Sequence, residues 1–219
     1  MEAFDNHIVL LGNIVSKQNT LKYFADGKAV LSLQLLTKRK WRDASGQWQE
    51  FANYFNVTVL GQQAEMLAKG AKPGLGLYVR AQLREKTLRN GNVVGVLEAQ
   101  SVKLIDKASS VSWNQAHING RLISHSALVQ TINGQDLITL SINISESMEK
   151  EQLVDVKLKG ATAKLIASQL TDQASGQVDV LVEGSVSSQS KKIADEFTHQ
   201  YWIDGHTCVL SNLKAVEQT

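Results

Sequence analysis

The sequence predicts a mainly β protein made of two tandem five-stranded Greek-key barrels, each with one α-helix between its third and fourth strands. Three observations carry that prediction. Runs of alternating Val, Ile and Leu recur along the chain, punctuated by 15 glycines and a single proline; period-two alternation marks strands with one buried face. Helical spacing interrupts that pattern once in each half. The second half also repeats the order of the first.

The elements of the first half follow in turn. His7–Val15 and Lys28–Thr37 read as the first two strands, and Asn53–Leu60 alternates cleanly as a third. Gly61-Gln-Gln-Ala-Glu-Met-Leu-Ala-Lys-Gly70 shifts to helical spacing, with Ala64, Met66, Leu67 and Ala68 apolar and Gly70 as a stop signal. Leu75–Leu83 and Val93–Leu104 complete the set. In the second half Gly120-Arg-Leu-Ile-Ser124 matches Gly12-Asn-Ile-Val-Ser16, and Asn133–Leu140 matches Asp26–Leu33. Val154–Gly160 matches Phe55–Gly61, and Ala163-Lys-Leu-Ile-Ala167 matches Ala64-Glu-Met-Leu-Ala68, the helix in both copies. Val178–Val186 aligns with the fourth strand and Thr207–Leu213 with the end of the fifth.

Three strands, a helix and two strands is the order of the OB-fold. The expected domains are residues 1–107 and 111–219, with Lys107-Ala-Ser-Ser110 as the joint. A joint that short predicts barrels packed side by side.

Composition narrows the function. Hydrophobic content of 43% and charged content of 20% are ordinary for a globular protein. Net charge is only +2, but residues 1–107 hold 15 Lys/Arg against 9 Asp/Glu, a net +6, whereas residues 108–219 hold 8 against 12, a net −4. A polyanion should prefer the first half. The single cysteine, Cys208, lies in an apolar strand pattern, which predicts core packing and no disulfide within the chain. The acidic start and the short apolar run Ile8–Leu11 do not make a signal peptide, and no segment has the length of a membrane span, so a cytoplasmic place is expected.

Two basic segments carry the chemistry. Thr37-Lys-Arg-Lys-Trp-Arg42 and Gln82-Leu-Arg-Glu-Lys-Thr-Leu-Arg89 lie between strand patterns, so each is expected at the tip of a projecting β-hairpin. Cations there attract phosphates, and a flat ring gives an unpaired base something to stack on. The candidate DNA-binding residues are Lys38, Arg39, Lys40, Trp41, Arg42, Trp48, Tyr54, Arg80, Arg84, Lys86 and Arg89. Alternation aims Arg80, Arg84 and Lys86 at one face. A solvated rim is the bland alternative for the cations, and a covered apolar patch is the alternative for Trp41 and Trp48. Trp113 and Trp202 lack basic neighbours, and inter-domain or core packing is their expected role.

No catalytic pattern accompanies these residues, and no enzyme activity is expected. Gly70-Ala-Lys-Pro-Gly-Leu-Gly76 lacks the ending of a phosphate loop, and the five histidines show no metal-ligand spacing. No metal or other cofactor is expected.

The first half resembles the bacterial single-stranded DNA-binding protein family. The resemblance rests on His7-Ile-Val-Leu-Leu-Gly-Asn13, Tyr23–Val30, Trp41-Arg-Asp-Ala-Ser-Gly46, Tyr54–Gly61 and Arg80-Ala-Gln-Leu-Arg84, in order over roughly residues 6–105. It implies that Trp41 falls on a base-stacking tryptophan of the family and Tyr54 on a second, with a smaller ring. Leu60 and Leu88 fall where the family usually stacks a phenylalanine and a tryptophan. Trp48, on the same predicted hairpin, partly compensates.

The resemblance further implies non-enzymatic, largely sequence-independent binding of single-stranded DNA in replication, recombination or repair. It implies a homodimer supplying four barrels, and replication or recombination proteins as partners. Family members usually end in a flexible linker and an acidic tip that recruits such partners. The sequence closes on Leu213-Lys-Ala-Val-Glu-Gln-Thr219 without that pattern, so the usual recruiting role is not expected unless the acidic second barrel takes over partner contacts. A primosome-like accessory protein and a protein-interaction module with vestigial DNA binding stand as alternatives. RNA stays open as a ligand, because stacking platforms accept either sugar.

Overall fold

The computed structural model describes residues 5–17, 21–43, 45–87, 91, 93–145, 151–170, 178–193 and 196–211. In the first half these form β1 (Asn6–Lys17), β2 (Lys22–Tyr23), β3 (Ala29–Arg42), β4 (Trp48–Leu60), α1 (Gly61–Gly70), β5 (Gly76–Thr87) and β6 (Val93–Ile105). The second half forms β7 (Trp113–His125), β8 (Val129–Gln130), β9 (Asp136–Asn143), β10 (Leu153–Lys159), α2 (Gly160–Leu170), β11 (Asp179–Ile193) and β12 (Glu196–Ser211).

These elements gather into two compact units. One holds His7–Gln115 together with Ser188–Gln200; the other holds Ala116–Ser187, with Asp5, Asn6 and the described residues from Tyr201.

The first unit is a closed barrel. Its strands lie in the order β2-β3-β4-β6-β5-β1, and β3 also pairs with β1 to complete the ring. Neighbours are antiparallel except β4 and β6, which run parallel. Alternate residues fill the interior: Leu31, Leu33 and Leu35 on β3 face Phe55, Val57 and Val59 on β4, with Leu77, Val79 and Leu83 from β5. Helix α1 buries Ala64 and Leu67. Met66, an apolar residue of the same helical pattern, is instead exposed.

The second unit repeats this arrangement as β8-β9-β10-β12-β11-β7, closed by β7 pairing with β9. Its parallel pair is β10 with β12. This is the mainly β, tandem OB-fold architecture that the repeat predicts.

One glycine in each barrel shows how the ring closes. The strand β1 pairs with β5 through Asn13 and then turns to β3, with a register shift between Ile14 and Ser16. A Cβ at Gly12 would overlap the Leu36 carbonyl of β3. In the second barrel β7 shifts register between Leu122 and Ser124, and a Cβ at Gly120 would overlap the Asn143 carbonyl. A bulge lets one strand serve two neighbours, and only glycine admits so close a backbone.

The strands extend past the ends that alternation marks. β3 continues from Thr37 to Arg42, and β4 begins at Trp48 rather than Asn53. Beyond the barrel both faces of the β3–β4 ribbon meet water, so no apolar period remains to signal a strand. The two-residue strands β2 and β8 are too short to carry any period. Among the described residues no helix is long and apolar enough to cross a membrane.

Candidate nucleic-acid interface

The β3–β4 ribbon is an unbroken ladder. Pairing runs from Val30 opposite Leu60 to Arg42 opposite Trp48 without a register shift. The segment Thr37–Arg42 is therefore a strand arm and not a hairpin tip, a correction to the sequence expectation. Cross-strand hydrogen bonding between well-formed strands overrides the weak local signal.

Asp43 closes the actual turn. Its Oδ1 accepts hydrogen bonds from the Ser45 amide at 2.9 Å, the Ser45 hydroxyl at 2.6 Å and the Gln47 amide at 3.0 Å. The Gln49 side-chain amide donates to Oδ2 at 2.8 Å. Gly46 adopts φ 79°, the left-handed conformation that such a turn needs. Hydrogen bonds from Ser45, Gln49 and Gln47 lower the Asp43 pKa to about 2.

Period-two geometry then sorts the basic segment onto two faces. Lys38, Lys40 and Arg42 share a face with Trp48 and Tyr54, and this face continues the outward surface of the barrel. Arg39 and Trp41 share the opposite face with Phe51. The sequence groups these residues as one cluster, and the ribbon instead carries aromatic rings and cations on both sides. Trp48 is 67% exposed, Trp41 42% and Tyr54 44%, so each can meet a ligand.

Contacts on the Lys38 face are electrostatic. The Arg42 guanidinium lies over the Trp48 ring, 5.0 Å from its centre. Lys38 Nζ lies 2.7 Å from Glu50 Oε1, and Lys40 Nζ lies 3.2 Å from Glu50 Oε2. Glu50 is held below its ordinary range by hydrogen bonds from Lys38 and then Lys40, and Lys38 is raised by its bond to Glu50. All three groups are solvated, so the bridges add little stability. Their consequence is positional, since one carboxylate gathers two ammonium groups and cancels part of their charge.

The second predicted segment is also a strand arm. Gln82–Thr87 belongs to β5, while Leu88 and Arg89 lie outside the described residues. Arg80, Arg84 and Lys86 are exposed on the outward face of β5, opposite the buried Leu77, Val79, Ala81 and Leu83. The Gln82 Oε1 accepts from Arg84 Nη2 at 2.6 Å and from Gln100 Nε2 at 3.2 Å. Pairing links Ser32, Thr58, Glu98 and Gln82 in one outward row across β3, β4, β6 and β5. Because β4 and β6 are parallel, both ribbons end at the same end of the barrel. Lys38, Lys40 and Arg42 thus share one outward surface with the cations of β5.

Sequence reasoning misses a polar cavity on that surface. About 440 Å³ in volume, it is lined by Ser16, Ser32, Leu33, Gln34, Tyr54, Asn56, Ser190 and His199. All of these residues belong to the first unit. The available signal is the placement of Gln34 and Asn56 at outward positions of two alternating strands, where they pair across the ladder.

In the second unit, Lys157 Nζ lies 3.9 Å from the centre of the Trp202 ring, and Lys159 lies 3.4 Å from Asp204. Trp202 therefore has a basic neighbour that the sequence order conceals, because β10 and β12 meet only in the folded sheet. Trp113 is 52% exposed, not packed in a core, and its indole N–H donates to Gln115. Cys208 is partly buried, and burial pushes its thiol up to about 12. Among the described residues, no group of three or more His, Cys, Asp or Glu is placed to hold a metal.

Residues 5–104 match the Single-strand binding protein family. Over the full length, the fold is similar to that of the single-stranded DNA binding protein from Thermus aquaticus. A deletion mutant of that protein is 20% identical, with a TM-score of 0.80 and 100% of both chains covered. The wild-type protein is 19% identical, with a TM-score of 0.77, covering 100% of this chain and 98% of the other. At that identity the likeness is one of fold, whereas the family match rests on sequence. The match to the Single-strand binding protein family covers the first barrel, residues 5–104, while the likeness in fold extends over both barrels.

Proposed function

We propose that the protein holds single-stranded DNA without altering it, on the outward surface and projecting ribbon of the first barrel. One observation carries this reading: Lys38, Lys40 and Arg42 share an exposed ribbon face with Trp48 and Tyr54, on the barrel that matches the family. Phosphates meet the cations while bases stack on the rings. Trp41 and Arg39 offer the same pair of chemistries on the reverse face, so a strand wrapping the ribbon finds a ring on either side. Arg80, Arg84 and Lys86 extend the phosphate path across β5, and Arg89 is assigned to it from sequence.

Contacts to backbone and π faces favour little sequence preference. Such a protein would serve replication, recombination or repair. Two chains, each with barrels at 1–107 and 111–219, would supply the four barrels implied by the family resemblance. Titration of a labelled oligo-dT at rising salt tests the reading. About four phosphate contacts predict a slope of log K against log salt near −3. Trp48→Ala should weaken binding by about 5- to 150-fold, the range for one stacked base. No binding at low salt would overturn the proposal.

A further inference from the structure

The cavity beside the ribbon differs in chemistry from the ribbon itself. No Lys, Arg, Asp or Glu lines it among the described residues. Gln34 stands between Ser16 on β1 and Asn56 on β4, all in outward positions. Each amide offers a donor and an acceptor in one plane. Tyr54 contributes an aromatic ring that is already part of the cation-bearing face. The Ser188 hydroxyl donates to the Tyr54 carbonyl at 2.6 Å, tying the segment that carries Ser190 and His199 to this edge of the cavity. Burial lowers the His199 pKa, favouring a neutral imidazole near pH 7.

An uncharged lining gives a phosphate no counter-charge. Its paired amides suit a planar ligand with donors and acceptors on its edge, as in the recognition of bases by Asn and Gln. The volume lies toward the small end of ligand sites. It is also continuous with the ribbon, because Tyr54 lines it and the Lys38–Ala52 pair is the next outward step along the ladder. We propose that this cavity takes a single nucleobase of the bound strand and gives the protein a base preference at that one position. The inference rests on the proposed function and goes beyond it, since stacking and phosphate contacts alone carry little base information.

Affinities for oligo-dT, oligo-dC and oligo-dA of equal length, measured by anisotropy with the full chain, test it. Homopolymers differ in their own stacking, so the informative quantity is the change between unaltered protein and variant. Asn56→Ala removes one amide. Ser190→Phe fills the cavity from an exposed position on β11 and leaves the barrel core intact. Both should compress the spread among the three affinities by about fivefold or more, the lower range for one bidentate amide–base contact. A spread that survives both variants overturns the cavity proposal and leaves the proposed function standing. Absence of binding by the unaltered protein at low salt overturns both.

Discussion

The two barrels share a strand order but lengthen different ribbons. In the first, β3 and β4 have 14 and 13 residues; their counterparts β9 and β10 have 8 and 7. The second instead lengthens β11 and β12 to 15 and 16 residues, against 12 and 13 for β5 and β6. Interior residues cannot vary so freely, because each fills a closed ring. Ribbons beyond the ring carry no such constraint. The comparison locates the first barrel's distinctive chemistry in its β3–β4 extension: its core resembles that of the second barrel, but its cation-bearing ribbon does not.

Cutting that extension back should break the difference most sharply. Joining Lys38 to Ala52 through a short turn removes Trp41, Arg42 and Trp48 while keeping Leu31–Leu35 and Phe55–Val59. Losing two stacking rings, at about 1–3 kcal/mol each, predicts at least about 30-fold weaker binding by oligonucleotide anisotropy. The trimmed barrel should retain its β-sheet circular dichroism. Unchanged affinity would move the interface off the ribbon.

The cores should respond alike where the ribbons do not. Gly12→Ala and Gly120→Ala each drive a Cβ into a backbone carbonyl at the equivalent bulge. Each should destabilise its own barrel by about 1–3 kcal/mol, as overpacking does. Thermal melts that show a loss for only one would end the equivalence of the two closures.

The division between core and ribbon also explains what the sequence discloses. Leu31, Leu33 and Leu35 alternate because one side is buried, so strand, face and barrel order are legible from them. Lys38 to Arg42 lack that contrast, and a strand arm there looks like a loop. The split between Trp41 and Trp48 is invisible until the ladder fixes which residues oppose one another. His199 and Asn56 lie far apart in sequence and meet at one cavity only through the fold. Trp202 gains Lys157 in the same way, across a parallel strand pair.

A smaller effect should come from Glu50, for which the short β9–β10 ribbon has no counterpart in its described residues. Glu50→Gln removes the carboxylate shared by Lys38 and Lys40. Freed ammonium groups should raise affinity a few fold at low salt and steepen the salt slope by up to about 0.7, the contribution of one more neutralised phosphate on a single strand. A shallower slope would mean that Glu50 serves chiefly to position the two lysines.

The smallest expected effect concerns how the long ribbon is held at its end. Asp43 has a folded pKa of about 2, below its ordinary value of 3.8, because Ser45, Gln49 and Gln47 donate to it. A depressed carboxyl stabilises the folded turn above the unfolded pKa, and that contribution is lost as pH falls through the folded value. The ribbon end should therefore loosen between about pH 4 and pH 2 while the cores of both barrels persist. Amide exchange at Gln47, whose N–H donates to Asp43, reads this directly. Asp43→Asn should abolish the acid-dependent step in that exchange. A Gln47 amide that stays equally protected across the range would show that cross-strand pairing alone holds the ribbon closed.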